Sequence, residues 1–367
     1  MSSPSSRPRR LGAGALIGII DTGVDAVHPA LAGRVAQRSA VDLNGVLGPD
    51  DGADRSGHGT HLAGVATASA PGSRVVSCRA LEGGAVHARL LVALDWMIGQ
   101  RVDVLLLAFG TWPGLRIFDR ALETLTDLDA LVVTAAGNGG PGGLLSPASS
   151  PSTLSVGAAG VDGRPIARSG SAGDPLGDRC YGPDLLAPGV DVPGPVPGGV
   201  FGARSGTSQA AAVVAGAAAL VRGRRPDLDA RGVRALLCAT ATPPPEEVRH
   251  RVRFGTLDLP AALKAGGKPP ALRLPDPALR PPSDTASAAL DRMLRGFGPY
   301  EVVLQHAGRD AGACAAGIDR LAAASGPPRR VRHLPRLGVS VVSASADFVR
   351  AAVEDPEVVA LGPASAR

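Results

Sequence analysis

ALIGIIDTG, residues 15–23, decides the fold. Residues 15–20 are apolar without alternation, the mark of a strand covered on both faces, and the run stops on Asp21 and a Thr-Gly turn. Working outward, HGTHLAGVATASA (58–70) reads as a helix of small residues and VVSCRAL (75–81) as a second buried strand. ARLLVALDWMIGQ (88–100) carries the spacing of an amphipathic helix and VDVLLLAFG (102–110) that of a strand. RIFDRALETLTDL (116–128) is again helical, ALVVTAAGN (130–138) is a strand ending at Asn138, and STLSVGAAG (152–160) is another strand. Past a Gly/Pro-rich stretch, Ser208 opens the long helix SQAAAVVAGAAALVRG (208–223), and ARGVRALLCATA (230–241) closes the unit with a further helix. Repetition of strand, crossover helix, strand predicts an α/β fold with a doubly wound, mostly parallel sheet and right-handed connections. In such sheets a site forms at the carboxyl ends of the strands.

At 367 residues the chain is long enough for one large domain and a small one. The net charge of +5 comes nearly all from arginine, with only Lys264 and Lys268 as lysines, and it is scattered rather than clustered. Aromatic residues make up 3%, too few for a base-stacking platform, so no nucleic-acid partner is expected. Arg7, Arg9 and Arg10 ahead of LGAGALIGII superficially resemble an export signal. That run is better read as the first core strand, because cleavage after it would strand Asp21 at a new terminus or remove it. Nothing approaches the ~20 apolar residues of a membrane span. Cys78, Cys180, Cys238 and Cys314 stand far apart without a CxxC pair, which predicts reduced thiols and no zinc site. A cytoplasmic protein without membrane partner or cofactor is the expectation.

Three short strings carry the chemistry: DTG at Asp21–Gly23, HGTH at His58–His61 and GTSQA at Gly206–Ala210. A serine hydroxyl is inert until a base takes its proton, and the base must be held in one tautomer by an anionic group. The predicted elements put Asp21 and Asn138 at strand ends and His58 and Ser208 at helix N-termini, whose free N–H groups favour a developing oxyanion. Singly, each string has a plainer reading. His58 alone would be a structural histidine in a Gly-rich turn, GTSQA alone a GxSxG-like elbow, and Asn138 alone a turn residue. Taken in order, Asp, His and Ser follow the chain order of subtilisin rather than that of chymotrypsin or the α/β-hydrolases.

The chain resembles the subtilisin-like serine proteases, the subtilases, over roughly residues 14–265. LIGIIDTGVDAVHP matches the family's Asp motif, SGHGTHLAG its His motif, VVTAAGN its oxyanion segment and SGTSQAAAVVAG its Ser motif. The resemblance implies a serine endopeptidase with Asp21 as orienter, His58 as base, Ser208 as nucleophile and Asn138 as oxyanion donor. It also implies a peptide groove between Ala108, Phe109 and Gly110 on one side and Gly83, Gly84 and Ala85 on the other. Ala136, Gly137 and Leu145 would line the specificity pocket, hinting at apolar residues before the scissile bond. Several positions depart from the family pattern. Gln209 follows the nucleophile where Met is frequent, Ala212 replaces a helical Pro, and the substrate strand reads AFGT instead of SLGG. Ala30 and the short SAPGS (69–73) remove two providers of the tight calcium site of secreted members, so no metal is expected there. Two competing readings remain: a catalytically latent subtilase-fold scaffold, and an α/β-hydrolase-type esterase using His250, His306 or His333, which would leave HGTH unexplained.

Residues 1–13 read as an N-terminal tail, 14–265 as the catalytic domain, 266–297 as a Pro-rich linker and 298–367 as a second domain. In the last, strand YEVVLQHA, helix DAGACAAGIDRLAAA, strands RRVRHL and LGVSVVSA, helix SADFVRAAVEDP and strand EVVALG give a small α+β ferredoxin-like βαββαβ order. VVSASADFVRAAVEDPEVVAL resembles the propeptide, or inhibitor, domain of subtilases, placed here after the catalytic unit. The resemblance implies either an inhibitor, with the tail GPASAR in the chain's own active-site cleft as a partner in cis, or a folding chaperone for the catalytic unit; the plainer reading is a packing or adaptor module.

Overall fold

The computed structural model describes residues 14–81, 87–111, 115–171, 182–272, 300–308 and 310–363. The first unit runs β1 (Leu16–Asp21), β2 (Val35–Val41), β3 (Leu47–Gly48), α1 (His58–Ser69), β4 (Arg74–Arg79), α2 (His87–Gln100), β5 (Val104–Leu107) and α3 (Asp119–Asp127). It continues through β6 (Leu131–Ala135), β7 (Leu154–Ala159), β8 (Leu185–Pro188), β9 (Val192–Val196), β10 (Val200–Arg204), α4 (Thr207–Arg224), α5 (Ala230–Ala239), β11 (Gly255–Thr256) and α6 (Leu259–Lys264). One nine-stranded sheet has the order β11-β8-β7-β6-β5-β1-β4-β2-β3. Every pairing in it is parallel except that of β2 with the short rim strand β3. The apolar runs at β1, β5, β6 and β7 are the strands buried on both faces, as unalternating runs must be.

Two apolar layers flank this sheet. On one face α1, α4 and α5 bury Leu62, Ala66, Val214, Ala218 and Leu237 against Ile17, Ile19, Val104 and Val133. On the other, α2 and α3 bury Leu91, Leu94, Met97 and Leu122 against Ile20, Val76 and Leu105. α1 and α4 are built almost wholly from small residues and are buried on nearly every side, which lets them pack backbone to backbone. A Cβ at Gly216 of α4 would lie 2.4 Å from the Ala66 carbonyl oxygen of α1. Arg222, near the end of α4 and 1% exposed at its side chain, is neutralised by Asp129 at 2.9 Å and Asp103 at 3.4 Å. The Asp103 carboxylate also accepts from the Leu16 N–H, so this pair ties α4 to the starts of β1, β5 and β6.

The second unit contains β12 (Tyr300–His306), α7 (Ala311–Ser325), β13 (Arg330–Leu334), β14 (Val339–Ala344), α8 (Ala346–Glu354) and β15 (Val358–Pro363), a βαββαβ order. Its antiparallel sheet is ordered β13-β14-β12-β15. Asp310 caps α7 by accepting from the Ala313 N–H, and Ser345 caps α8 by accepting from the Phe348 N–H. Strand alternation assigns the faces. Val302, Leu304, Val342 and Ala344 pack on Ile318, Leu321 and Phe348 of the unit's own helices. Val303 and Val339, with Leu334 and Leu337, join the apolar layer of α2 and α3. Polar contacts border that seam: Arg336 donates to the Asp95 carbonyl at 3.1 Å, and Arg120 donates to the carbonyls of His306 and Gly308.

Cys78, Cys238 and Cys314 are free, buried thiols, while Cys180 lies outside the described residues. Burial pushes the Cys78 thiol up to about 12 and raises the other two as well. No helix among the described residues is long and apolar enough to cross a membrane.

Candidate active site

Asp21 is the last residue of β1 and His58 the first of α1, so the parallel sheet delivers one and the returning helix the other to the same rim. Asp21 is 1% exposed, and its Oδ1 accepts from the Thr22 N–H at 2.8 Å and contacts His58 Nδ1 at 2.7 Å. With Nδ1–H committed to the carboxylate, the Nε2 lone pair is the one left free. Gly59 makes the approach possible, since a Cβ there would stand 2.1 Å from the Gly23 carbonyl oxygen and 3.2 Å from Asp21 Oδ1. Burial pulls the His58 pKa down, but the charge and hydrogen bond of Asp21 outweigh it. The net displacement is upward from 6.5, with Arg204 opposing it.

Asp54 is a residue that the sequence motifs do not announce. It is 4% exposed and binds four donors around the start of α1. Its Oδ1 accepts from the Thr22 hydroxyl and the Gly57 N–H, each at 2.8 Å. Its Oδ2 accepts from the Thr60 N–H at 2.8 Å and the Thr60 hydroxyl at 2.6 Å. Gly57, at φ 70, offers no side chain to cap the helix, so Asp54 satisfies the free N–H groups from outside. The only sequence signal was an Asp ahead of a Gly-rich helix start. His61 is a neighbour of a different kind, fully buried, with Nε2 bonded to the Val192 carbonyl at 3.1 Å, and burial lowers its pKa.

Ser208 lies in the first turn of α4, behind Gly206 at φ 150, where a Cβ would press within 3.4 Å of Asn138 and Gln209. The Asn138 Oδ1 accepts from the Thr207 N–H at 3.1 Å, which turns its Nδ2 the other way. The Gly137 N–H donates to the Thr207 hydroxyl at 3.2 Å, so the end of β6 and the start of α4 are stitched together. The Ser208 hydroxyl donates to the Ala108 carbonyl at 3.2 Å rather than to His58, and reaching the imidazole would require rotation about its Cα–Cβ bond. An open depression of about 440 Å³ is lined by His58, Asn138, Arg204, Ser205, Ser208 and Gln209.

Of the expected groove, Ala108 is thus in direct contact with Ser208, Phe109 is buried against Phe118, and Gly110 is exposed beside Leu145. Gly83, Gly84 and Ala85 lie outside the described residues. Leu145 does more than line a wall. Its N–H donates to the Ala136 carbonyl at 3.1 Å, and its Cδ1 would meet a Cβ on Gly110 at 2.3 Å and one on Gly137 at 2.7 Å. The isobutyl group therefore fills the space between those two backbones. Of the histidines offered for an esterase arrangement, His306 and His333 share the Ser340 hydroxyl in the second unit, at 2.8 and 2.9 Å.

Comparison with known proteins agrees with this geometry. The profile of the subtilase family matches residues 12–267. Subtilisin-like protease PopC of Myxococcus xanthus is 36% identical over 282 residues, covering 66% of this chain and 59% of PopC. Subtilisin of Bacillus pumilus is 32% identical over 246 residues, covering 63% of this chain and 85% of its own length. Among solved structures, prenylagaramide maturation protease PagA superposes with a TM-score of 0.59 at 25% identity, over 68% of this chain and 93% of PagA. With the family profile spanning the whole first unit and the relatives following it, the chain belongs to the subtilase family.

Proposed function

We propose that this chain is a serine endopeptidase, with Ser208 as nucleophile, His58 as base and then acid, Asp21 as orienter and Asn138 as oxyanion donor. The observation that carries the proposal is the 2.7 Å contact of His58 Nδ1 with a buried Asp21, in a depression shared with Ser208 and Asn138. His58 Nε2 takes the Ser208 proton as Oγ bonds to the scissile carbonyl carbon. The carbonyl oxygen, now anionic, is met by Asn138 Nδ2 and the Ser208 N–H. His58 then gives its proton to the leaving nitrogen as the C–N bond breaks, and water repeats the cycle on the acyl-enzyme. A fluorophosphonate label should map to Ser208 and disappear in Ser208→Ala, with hydrolysis of an internally quenched peptide lost in parallel. Labelling without hydrolysis of any peptide would favour a latent scaffold.

The second unit is read as an inhibitor-type domain acting in cis. Its open sheet face is covered by α2 and α3 of the first unit, and the fully buried Val303, Leu337 and Val339 make that contact apolar. This supports a docked partner rather than a freely tethered module. Of the tail GPASAR expected in the cleft, Gly362 and Pro363 instead end β15, paired with Val303 and Val302, and 364–367 lie outside the described residues.

A further inference from the structure

Arg204 is the one charged side chain on the depression that the reaction proposed above does not use. It ends β10, and its Nη2 donates to the Ser56 carbonyl at 2.8 Å. The same nitrogen lies 3.1 Å from where a Cβ on Gly57 would be, so the guanidinium is pinned against the two residues that precede His58. No carboxylate among the described residues forms an ion pair with it. Asp191, the acid of the adjoining loop, accepts from the Ser205 hydroxyl at 3.1 Å instead. The exposed Arg168, which does not line the depression, donates to the Ser205 carbonyl at 2.7 Å.

The side of the scissile bond follows from the chemistry. The acyl portion of a substrate lies with Ser208, whose hydroxyl rests on the Ala108 carbonyl, beside the 108–110 segment that follows β5. The leaving nitrogen must face His58, because that imidazole protonates it. A fixed cation behind His58 therefore borders the leaving group. Leaving such a charge half-buried and unpaired is unfavourable, and a carboxylate arriving with the substrate relieves it.

We propose that Arg204 is a specificity-determining residue that selects substrates bearing a carboxylate within the first two residues after the scissile bond. The carboxylate has two possible sources, an Asp or Glu side chain or the free C-terminus of a short leaving peptide. This proposal rests on the endopeptidase reading.

The test uses the full chain and internally quenched peptides that differ only in the residue following the scissile bond, Glu, Gln or Lys. A second pair ends directly after that residue as free acid or as amide, to separate the two sources. The expected kcat/KM ratio of Glu over Lys is about three- to tenfold. It should fall to about one in Arg204→Gln, invert in Arg204→Glu and survive in Arg204→Lys. Ratios within one variant cancel differences in folded fraction or overall rate. Ratios that stay the same in Arg204→Glu overturn the proposal while leaving proteolysis intact. Absence of both cleavage and Ser208 labelling in the unaltered chain overturns the endopeptidase reading and this one with it.

Discussion

At the residue scale the site turns on two acids, one facing the base and one behind it. On the endopeptidase reading His58 is useful only as the neutral imidazole, and since Asp21 outweighs burial and raises its pKa above 6.5, the acid limb of kcat/KM should lie above that value. Asp21→Asn should move the limb to lower pH and cut kcat by about 10⁴, the loss the same change produces in chymotrypsin-type triads. A pH profile of peptide hydrolysis reads both. The sign for stability is opposite to the sign for activity. A histidine whose folded pKa is raised contributes stability fully below its unfolded value of 6.5, and that contribution is lost as pH rises through the folded pKa. Asp54 acts one step further back. Asp54→Ala leaves the Gly57 N–H, the Thr60 N–H and the Thr60 hydroxyl without their acceptor, and should cost about 3 kcal/mol of unfolding free energy. Its kcat should fall with little change in KM, while Asp54→Asn, which keeps one acceptor for Gly57 and Thr22, should lose less of both. Denaturant titration beside steady-state kinetics distinguishes the two variants. Asp21, His58 and Ser208 stand out in the sequence because each sits in a short motif with its own chemistry, and the fold brings them to one rim. Asp54 does not, since it belongs to no such motif and only the fold brings Thr22, 32 residues away, to the carboxylate that also holds Gly57 and Thr60.

At the element scale, what the sequence revealed depended on how a strand is covered. β1, β5, β6 and β7 are apolar on both faces and read directly from unalternating runs. β2 escaped notice because VAQRSAV lies near the sheet rim, half exposed, and its polar residues break the run. The β9–β10 hairpin was hidden in VPGPVPGG, where Pro and Gly argue against a strand, yet it carries Arg204 to the site. The family resemblance implies Leu145 as a wall of the specificity pocket, but only tertiary packing puts its side chain between Gly110 and Gly137. On the endopeptidase reading, a filled slot favours small residues before the scissile bond. Leu145→Ala should therefore raise kcat/KM for a Leu or Phe there by about tenfold relative to Ala, measured on paired peptides. Equal ratios in both proteins would show that the slot lies elsewhere. The link from α1 to β4 is only Ala70–Ser73, closed by the Ser73 N–H on the Ala70 carbonyl at 2.9 Å. A chelator is accordingly expected to leave Tm unchanged, and a chelator-induced fall would reveal a calcium site that Ala30, which offers no carboxylate, and the short 70–73 link argue against.

At the scale of the whole molecule, the second unit shares one apolar layer with the α2–α3 face of the first, so on the inhibitor reading both inhibition and folding support would act through the same side chains. Leu337 is fully buried in that layer, and Leu337→Asp should undock the two units while leaving the α1–α4 layer and the site rim untouched. If the second unit holds the C-terminal tail in the cleft, its tether supplies roughly millimolar effective concentration, so even a tail with ~10 µM intrinsic affinity would keep about 99% of the cleft closed. Undocking would then speed fluorophosphonate labelling of Ser208 up to about 100-fold in a protein that remains soluble. Labelling at the original rate in soluble Leu337→Asp removes the inhibitor reading. Loss of the folded first unit, followed by near-ultraviolet circular dichroism, would instead mean that the second unit is needed as a structural cover for α2 and α3. Arg336→Glu separates these outcomes further. It breaks the exposed hydrogen bond to the Asp95 carbonyl without placing a charge in the apolar layer, so it should raise the labelling rate modestly and leave the fold intact.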